Sequence, residues 1–268
     1  MARVIAVVNQ KGGVGKSTTA LNVSAYMASF GKRTLLVDTD PQGNASSGIG
    51  IEKDALKYSI YDSIIDEVPL TSVIQKTIIP GLDIVPATLK LAGAEVELVS
   101  ALSRETRLAA CLEPVLGDYD FVFIDCPPSL GLLTINALVA ANSLLIPVQC
   151  EYYALEGLRQ LLDTIELVRR HLNRSLVIEG FLMTMHDSRT NLSQQVVEDV
   201  KNHYGSKVFR TVIPRNVTLS EAPSFGLPII RYDPKSRGAL AYEELAKEVL
   251  ERGEEKTGQR IGRPDSWR

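Results

Sequence analysis

The chain of 268 residues is 45% hydrophobic and 23% charged, the balance of a soluble globular protein with a full core. Its net charge of −3 excludes a global basic field that would advertise nucleic acid, and its three scattered cysteines, Cys111, Cys126 and Cys150, form no disulfide framework and fit a reducing cytoplasm. No apolar run is long enough to span a bilayer, and the first residues already read as a strand, so neither a membrane span nor a signal peptide is expected.

Val4–Val8 is the first apolar run of strand length. The segment after it, QKGGVGKSTT, carries a variant of the phosphate-loop pattern Gly-x-x-x-x-Gly-Lys-[Ser/Thr], with Gln10 at the first position. Gly12, Gly13 and Gly15 let backbone N–H groups turn inward, and Val14 and Thr18 complete the loop. Lys16 can reach the β- and γ-phosphates of a nucleotide, and the Ser17 hydroxyl can ligate Mg2+. An amphipathic helix from Thr19 to Phe30 follows, its N-terminus favourable to anions, and Gly31 stops it. The strand Thr34–Val37 delivers Asp38 and Asp40. Leu82–Val85 is another strand, and Phe121–Ile124 delivers Asp125. Ligands of open α/β sheets sit beyond the carboxyl ends of the strands, where the loop and all three aspartates lie. An Asp after an apolar strand is the usual outer partner of Mg2+ in nucleotide hydrolases, although any one of the three could instead cap a helix or make a turn.

The strand Ser143–Val148 precedes a helix from Tyr153 to Leu172, whose Leu158, Leu161, Leu162, Ile165, Val168 and Leu172 recur at spacings of three and four. The strand Leu176–Met183, a helix stop at Gly205 and the strand Val208–Ile213 follow. Several strands are apolar throughout, as befits strands covered on both faces. The alternation predicts an α/β fold, a doubly wound and mostly parallel sheet flanked by helices, of P-loop NTPase type. One domain is expected over 1–253, with a polar, flexible tail over 254–268 that contains Trp267.

Charge is uneven along the chain. Lys201–Arg237 holds seven basic and two acidic residues, net +5, which leaves −8 for the rest. Lys207, Arg210, Arg215 and Lys235 of this segment are candidate contacts to DNA phosphates, the alternative being an ordinary solvated face. Lys11 is a second lysine at the start of the loop. On the residues alone it is either a surface lysine or a cation for a second nucleotide.

The blocks KGGVGKSTTALN, LLVDTDPQGNAS, FVFIDCPPSLGLLTINAL and IPRNVTLSEAPSFGLPI resemble the ParA/Soj family of chromosome- and plasmid-partitioning ATPases, from about Arg3 to about Leu250. The first block is shared with MinD, the nitrogenase iron protein and the arsenite-pump ATPase. The last block narrows the resemblance to ParA/Soj. Ser17 stands where Thr is more common, and either offers a hydroxyl to a metal. The resemblance implies that Lys11 reaches across a dimer interface to the partner's ATP, that Asp40 orients the attacking water, and that Ser17 and Asp125 hold Mg2+, with Asp38 contacting the metal through water. It places Pro214 and Asn216 at the adenine and Arg215 on DNA. It implies a homodimer with ATP, non-specific double-stranded DNA and a ParB-like centromere-binding protein as partners, slow switch-type hydrolysis to ADP, and a cytoplasmic, nucleoid-associated location.

Two other functions share the loop. A MinD-like membrane-surface ATPase positioning division needs an apolar stripe in its tail, and ERGEEKTGQRIGRPDSWR offers only Ile261 and Trp267. A metallochaperone-type ATPase usually shows a cysteine pair, and none is present here.

Overall fold

A computed structural model describes residues 2–151 and 156–261. Among these residues eight strands form one sheet: β1 (Arg3–Val7), β2 (Thr34–Asp38), β3 (Gln75–Lys76), β4 (Leu82–Val85), β5 (Phe121–Asp125), β6 (Ser143–Gln149), β7 (Val177–His186) and β8 (Val208–Pro214). Their order is β3-β4-β2-β5-β1-β6-β7-β8, parallel except for β3 against β4. The expected doubly wound α/β fold is therefore the observed one.

The strands are apolar on both faces because helices cover both. Ile5, Val7, Leu36 and Phe123 point to one side, and Val4, Ala6, Leu35 and Ile124 to the other. On the first side lie α1 (Lys16–Ser29), the short α2 (Asn44–Gly48) and the last helices, while α3 (Ile60–Ile64), α4 (Leu91–Glu97), α5 (Arg107–Leu112), α6 (Leu132–Ala140), α7 (Glu156–His171) and α8 (Asn191–Tyr204) cover the second. After β8 come α9 (Val217–Glu221), α10 (Ile229–Tyr232) and α11 (Arg237–Ile261). Among the described residues no helix is long and apolar enough to cross a membrane.

Seven strands lie where the apolar runs predict them. The eighth, β3, is two partly exposed residues at the antiparallel edge, too short for a periodic signal. The helix expected from Thr19 begins at Lys16, so Lys16 and Ser17 occupy its first turn. Gly31 and Gly205 do follow helices, both with positive φ. The expected start of α7 at Tyr153 lies outside the described residues, as does Trp267. The last helix runs to Ile261, past the expected boundary at 253.

Candidate functional site

In register, Val7 of β1 and Asp38 of β2 both pair with Asp125 of β5, so three neighbouring strands end level. The loop after β1 and the two aspartates consequently rise from one line at the carboxyl edge of the sheet. Asn9 fixes the loop's entry, donating from Nδ2 to Pro147 O at 2.7 Å and accepting from Lys11 N at 3.0 Å. Gly13 and Gly15 have φ of 74° and 89°, conformations that strain any residue with a Cβ. Val14 is buried beneath the loop, and its carbonyl accepts from the Thr184 hydroxyl at 2.9 Å. Gly15 caps α1 with no side-chain oxygen, which leaves the first-turn N–H groups available to an anion.

Lys16 is buried and its ammonium donates to Lys11 O at 3.0 Å. Burial pushes it below its usual pKa, opposed by the Asp125 and Asp40 carboxylates. The two strand-end aspartates differ sharply. Asp38 Oδ2 accepts from Ser46 N at 2.8 Å and Ser46 Oγ at 2.7 Å, while Oδ1 accepts from Asp40 N at 3.1 Å. Burial pushes its pKa up to about 6 despite these bonds. Its oxygens hold the following loop, a use that sequence alone did not suggest. Asp125 is equally buried, yet neither carboxylate oxygen accepts a hydrogen bond of good geometry. Burial and the neighbouring Asp38 charge push it well above the ordinary range, with Ser17 close enough to oppose the shift. A buried carboxylate with both oxygens orphaned fits a site made to receive a cation. Among the described residues no group of three or more His, Cys, Asp or Glu side chains is arranged to hold a metal ion by itself. Mg2+ needs none, since one or two carboxylates, substrate phosphates and waters complete its shell.

A cleft of about 870 Å3 opens above this line, a volume typical of small-molecule sites. Gly12, Gly13, Gly15, Lys16, Ser17, Thr18 and Asp40 line it from one side, and Pro214, Arg215 and Asn216 from the other. The Asn216 carbonyl caps α9, accepting from Leu219 N at 3.2 Å and from the Thr218 hydroxyl. That oxygen is therefore committed to the turn, and the amide nitrogen is what remains for a ligand.

Other expected residues lie elsewhere. Lys11 is outside the cleft, its ammonium 2.7 Å from Glu151 of the same chain. Lys207 and Arg210 stand at the start of β8, at the sheet edge opposite the cleft, and Arg210 pairs with Glu248 and Glu251. Arg215 follows the end of that strand and is exposed, as is Lys235 in the turn before α11. The four candidate DNA contacts are thus not one patch.

The cleft also contains Thr184, Met185 and Tyr242, which the sequence reading missed. Tyr242 pairs with the Thr19 hydroxyl at 3.1 Å, and Met185 has an uncommon positive φ of 52°. β7 runs three residues beyond Met183, where the apolar signal fades. The rule that sites sit past strand ends could have found Thr184 and Met185, whereas Tyr242 looks like an ordinary core position of its helix.

Residues 2–178 match the family model of an AAA domain. The sporulation initiation inhibitor protein Soj of Bacillus subtilis is 60% identical over 253 residues, covering 94% of this chain and all of that protein. The chromosome partitioning protein ParA of Myxococcus xanthus is 54% identical, covering 97% of this chain and 92% of that protein. Among solved structures, cobyrinic acid a,c-diamide synthase from Mycobacterium smegmatis, with bound ADP and magnesium, superposes with a TM-score of 0.85 at 39% identity over 96% of this chain and 97% of that one.

Proposed function

The chain belongs to the Soj/ParA family of chromosome-partitioning ATPases, and from that premise we propose that it is a slow ATP-driven switch for DNA segregation. The observation that carries this reading is the level ending of β1, β2 and β5, which sets the phosphate loop beside an orphaned buried carboxylate. Lys16 and the N-terminus of α1 take the β- and γ-phosphates. Ser17 and Asp125 hold Mg2+, which neutralises phosphate charge when bound. The ADP and magnesium of the M. smegmatis neighbour support that assignment. That neighbour's synthase name carries less weight, at 39% identity against 60% and 54% for the partitioning proteins.

Asp40 lines the cleft at 5% exposure and orients the water that attacks the γ-phosphorus, giving ADP and phosphate. Pro214 and the Asn216 amide meet the adenine. ATP carries about four negative charges, and two such sites face to face need cations between them. Lys11, sent across from each protomer, supplies them, so that dimerisation reports the γ-phosphate. The dimer binds double-stranded DNA without sequence preference through Arg215 and Lys235, and a ParB-like protein speeds hydrolysis and release. Such a switch works in the cytoplasm on the nucleoid.

Co-sedimentation tests the reading. The protein should pellet with DNA when ATP is present and not with ADP, and should ignore anionic liposomes in both cases. ATP-dependent pelleting with liposomes but not DNA would replace it with the membrane-surface function.

A further inference from the structure

We infer that Lys53 is a positioning residue for Asp40, holding the turn that aims this carboxylate into the cleft; the inference rests on Asp40 being the group that handles the attacking water. Asp40 opens a tight turn in which Gly43 N donates to Asp40 O at 2.8 Å, and Gln42 N donates to Asp40 Oδ1 at 2.9 Å. The carboxylate is thus oriented by the turn's own backbone. On the far side of that backbone, Lys53 Nζ donates to Gln42 O at 2.8 Å and to Gly43 O at 3.4 Å.

One peptide unit therefore carries the load. The Gln42–Gly43 peptide is held at its N–H end by Asp40 O and at its C=O end by Lys53. Gly43 sits at φ 61°, where a Cβ would meet Ala87 O at 2.8 Å and the Lys53 side chain at 3.0 Å. The position excludes side chains, and glycine leaves the peptide free to rotate once a tether is lost. A charged donor on the carbonyl is the stronger kind of tether. Lys53 lines a surface hollow with Pro41 and Gln42 rather than the nucleotide cleft. It touches no reacting atom and acts only through the turn.

The test measures turnover and nucleotide affinity in Lys53→Met, Lys53→Gln and Lys53→Arg, with Asp40→Asn alongside. Lys53→Met and Lys53→Gln should lower kcat about three- to ten-fold at saturating Mg-ATP, because small misplacement of a positioned group is costly. Their nucleotide Kd should stay within about two-fold of the parent, since Lys16 and the loop are untouched. Lys53→Arg should restore most of the rate. Hydrogen exchange at the Gln42 and Gly43 amides should quicken in the Met and Gln variants and not in the Arg variant. Unchanged kcat, unchanged exchange, or a Kd that weakens in step with kcat would each overturn the role of Lys53. Asp40→Asn hydrolysing ATP at the parental rate would instead sink the underlying assignment of Asp40, whatever the Lys53 variants do.

Discussion

Lys16 meets two opposed demands. Its ammonium is buried against the loop it serves, which lowers its pKa, and the nearby Asp125 and Asp40 carboxylates only partly oppose that shift. A nucleotide's phosphates would take over that compensation. Lys16→Ala should therefore weaken ATP binding by about a hundred-fold or more, as expected for a charge-assisted contact in a sheltered site. Titration calorimetry giving parental affinity would remove the loop from the site. Asp38 and Asp125 add a pH dependence of definite sign. Both have pKa values raised by burial, Asp38 to about 6. A carboxyl with a raised folded pKa adds stability that is complete below its unfolded value, near 4, and is lost as pH rises through the folded value. Without nucleotide the protein should melt at a lower temperature at pH 7 than at about pH 5. Mg-ATP should shrink or reverse that difference, because the metal favours ionised Asp125. Melting curves that coincide at the two pH values without nucleotide would contradict the raised values. The loop and the three aspartates were legible because their residue types and spacing carry the chemistry locally. That Asp38 is consumed by Ser46 was not, since a short polar run says nothing about which hydroxyl turns back.

At the level of elements, α11 is bolted to β8 by one buried carboxylate. Glu248 is 3% exposed and accepts from Arg210 N at 2.8 Å, Thr211 N at 3.0 Å, Thr211 Oγ1 at 2.9 Å and Arg252 Nη2 at 2.9 Å. Burial pushes its pKa up, but these donors outweigh it and leave the carboxyl below its ordinary value. Here the sign is reversed: stability is present above the unfolded value and lost as pH falls through the lower folded one. Glu248→Gln should cost about 1–3 kcal/mol near neutrality. The gap to the parent should close as pH drops below about 4. A gap that persists undiminished in acid would show that packing, not the charge, is what the variant lost. The link from Glu248 to β8 has no signature in the sequence, because Arg210 and Thr211 lie nearly forty residues away and donate partly through backbone N–H groups; only Arg252, four residues on, is local. The strands were legible for the opposite reason. Burial on both faces writes a continuous apolar run into each central strand, while β3, a two-residue edge strand, escapes any periodic test.

On the scale of the whole molecule, charge and chemistry gather at one edge of the sheet. The cleft, Arg215 and the Lys235 turn share the carboxyl edge, while Lys207 and Arg210 stand at the other. Arg215→Glu should therefore weaken DNA binding about ten-fold at moderate salt and flatten its salt dependence, with Lys207→Glu having far less effect. Equal losses from both variants in a salt series would put the DNA across the other edge as well. Lys11 tests whether the edge works only as a pair. Its ammonium is 2.7 Å from Glu151, and both side chains are more than two-fifths exposed. Such a pair contributes under about 1 kcal/mol, so the lysine can leave it for a better anion, and a partner's triphosphate is one. Lys11→Ala should keep single-chain ATP binding, since Lys16 remains, and lose ATP-dependent dimerisation and DNA binding together. Turnover should drop as well, by about 10³-fold if the lysine stabilises the transition state as an arginine finger does. Mixing separates action across the interface from action within the chain. In a dimer of one Lys11→Ala chain and one Asp40→Ala chain, the first keeps its own Asp40 and receives Lys11 from the second. Hydrolysis should partly return, with a maximum near equal proportions. Mixed dimers shown to form by light scattering, yet inactive at every ratio, would return Lys11 to its pairing with Glu151 within one chain.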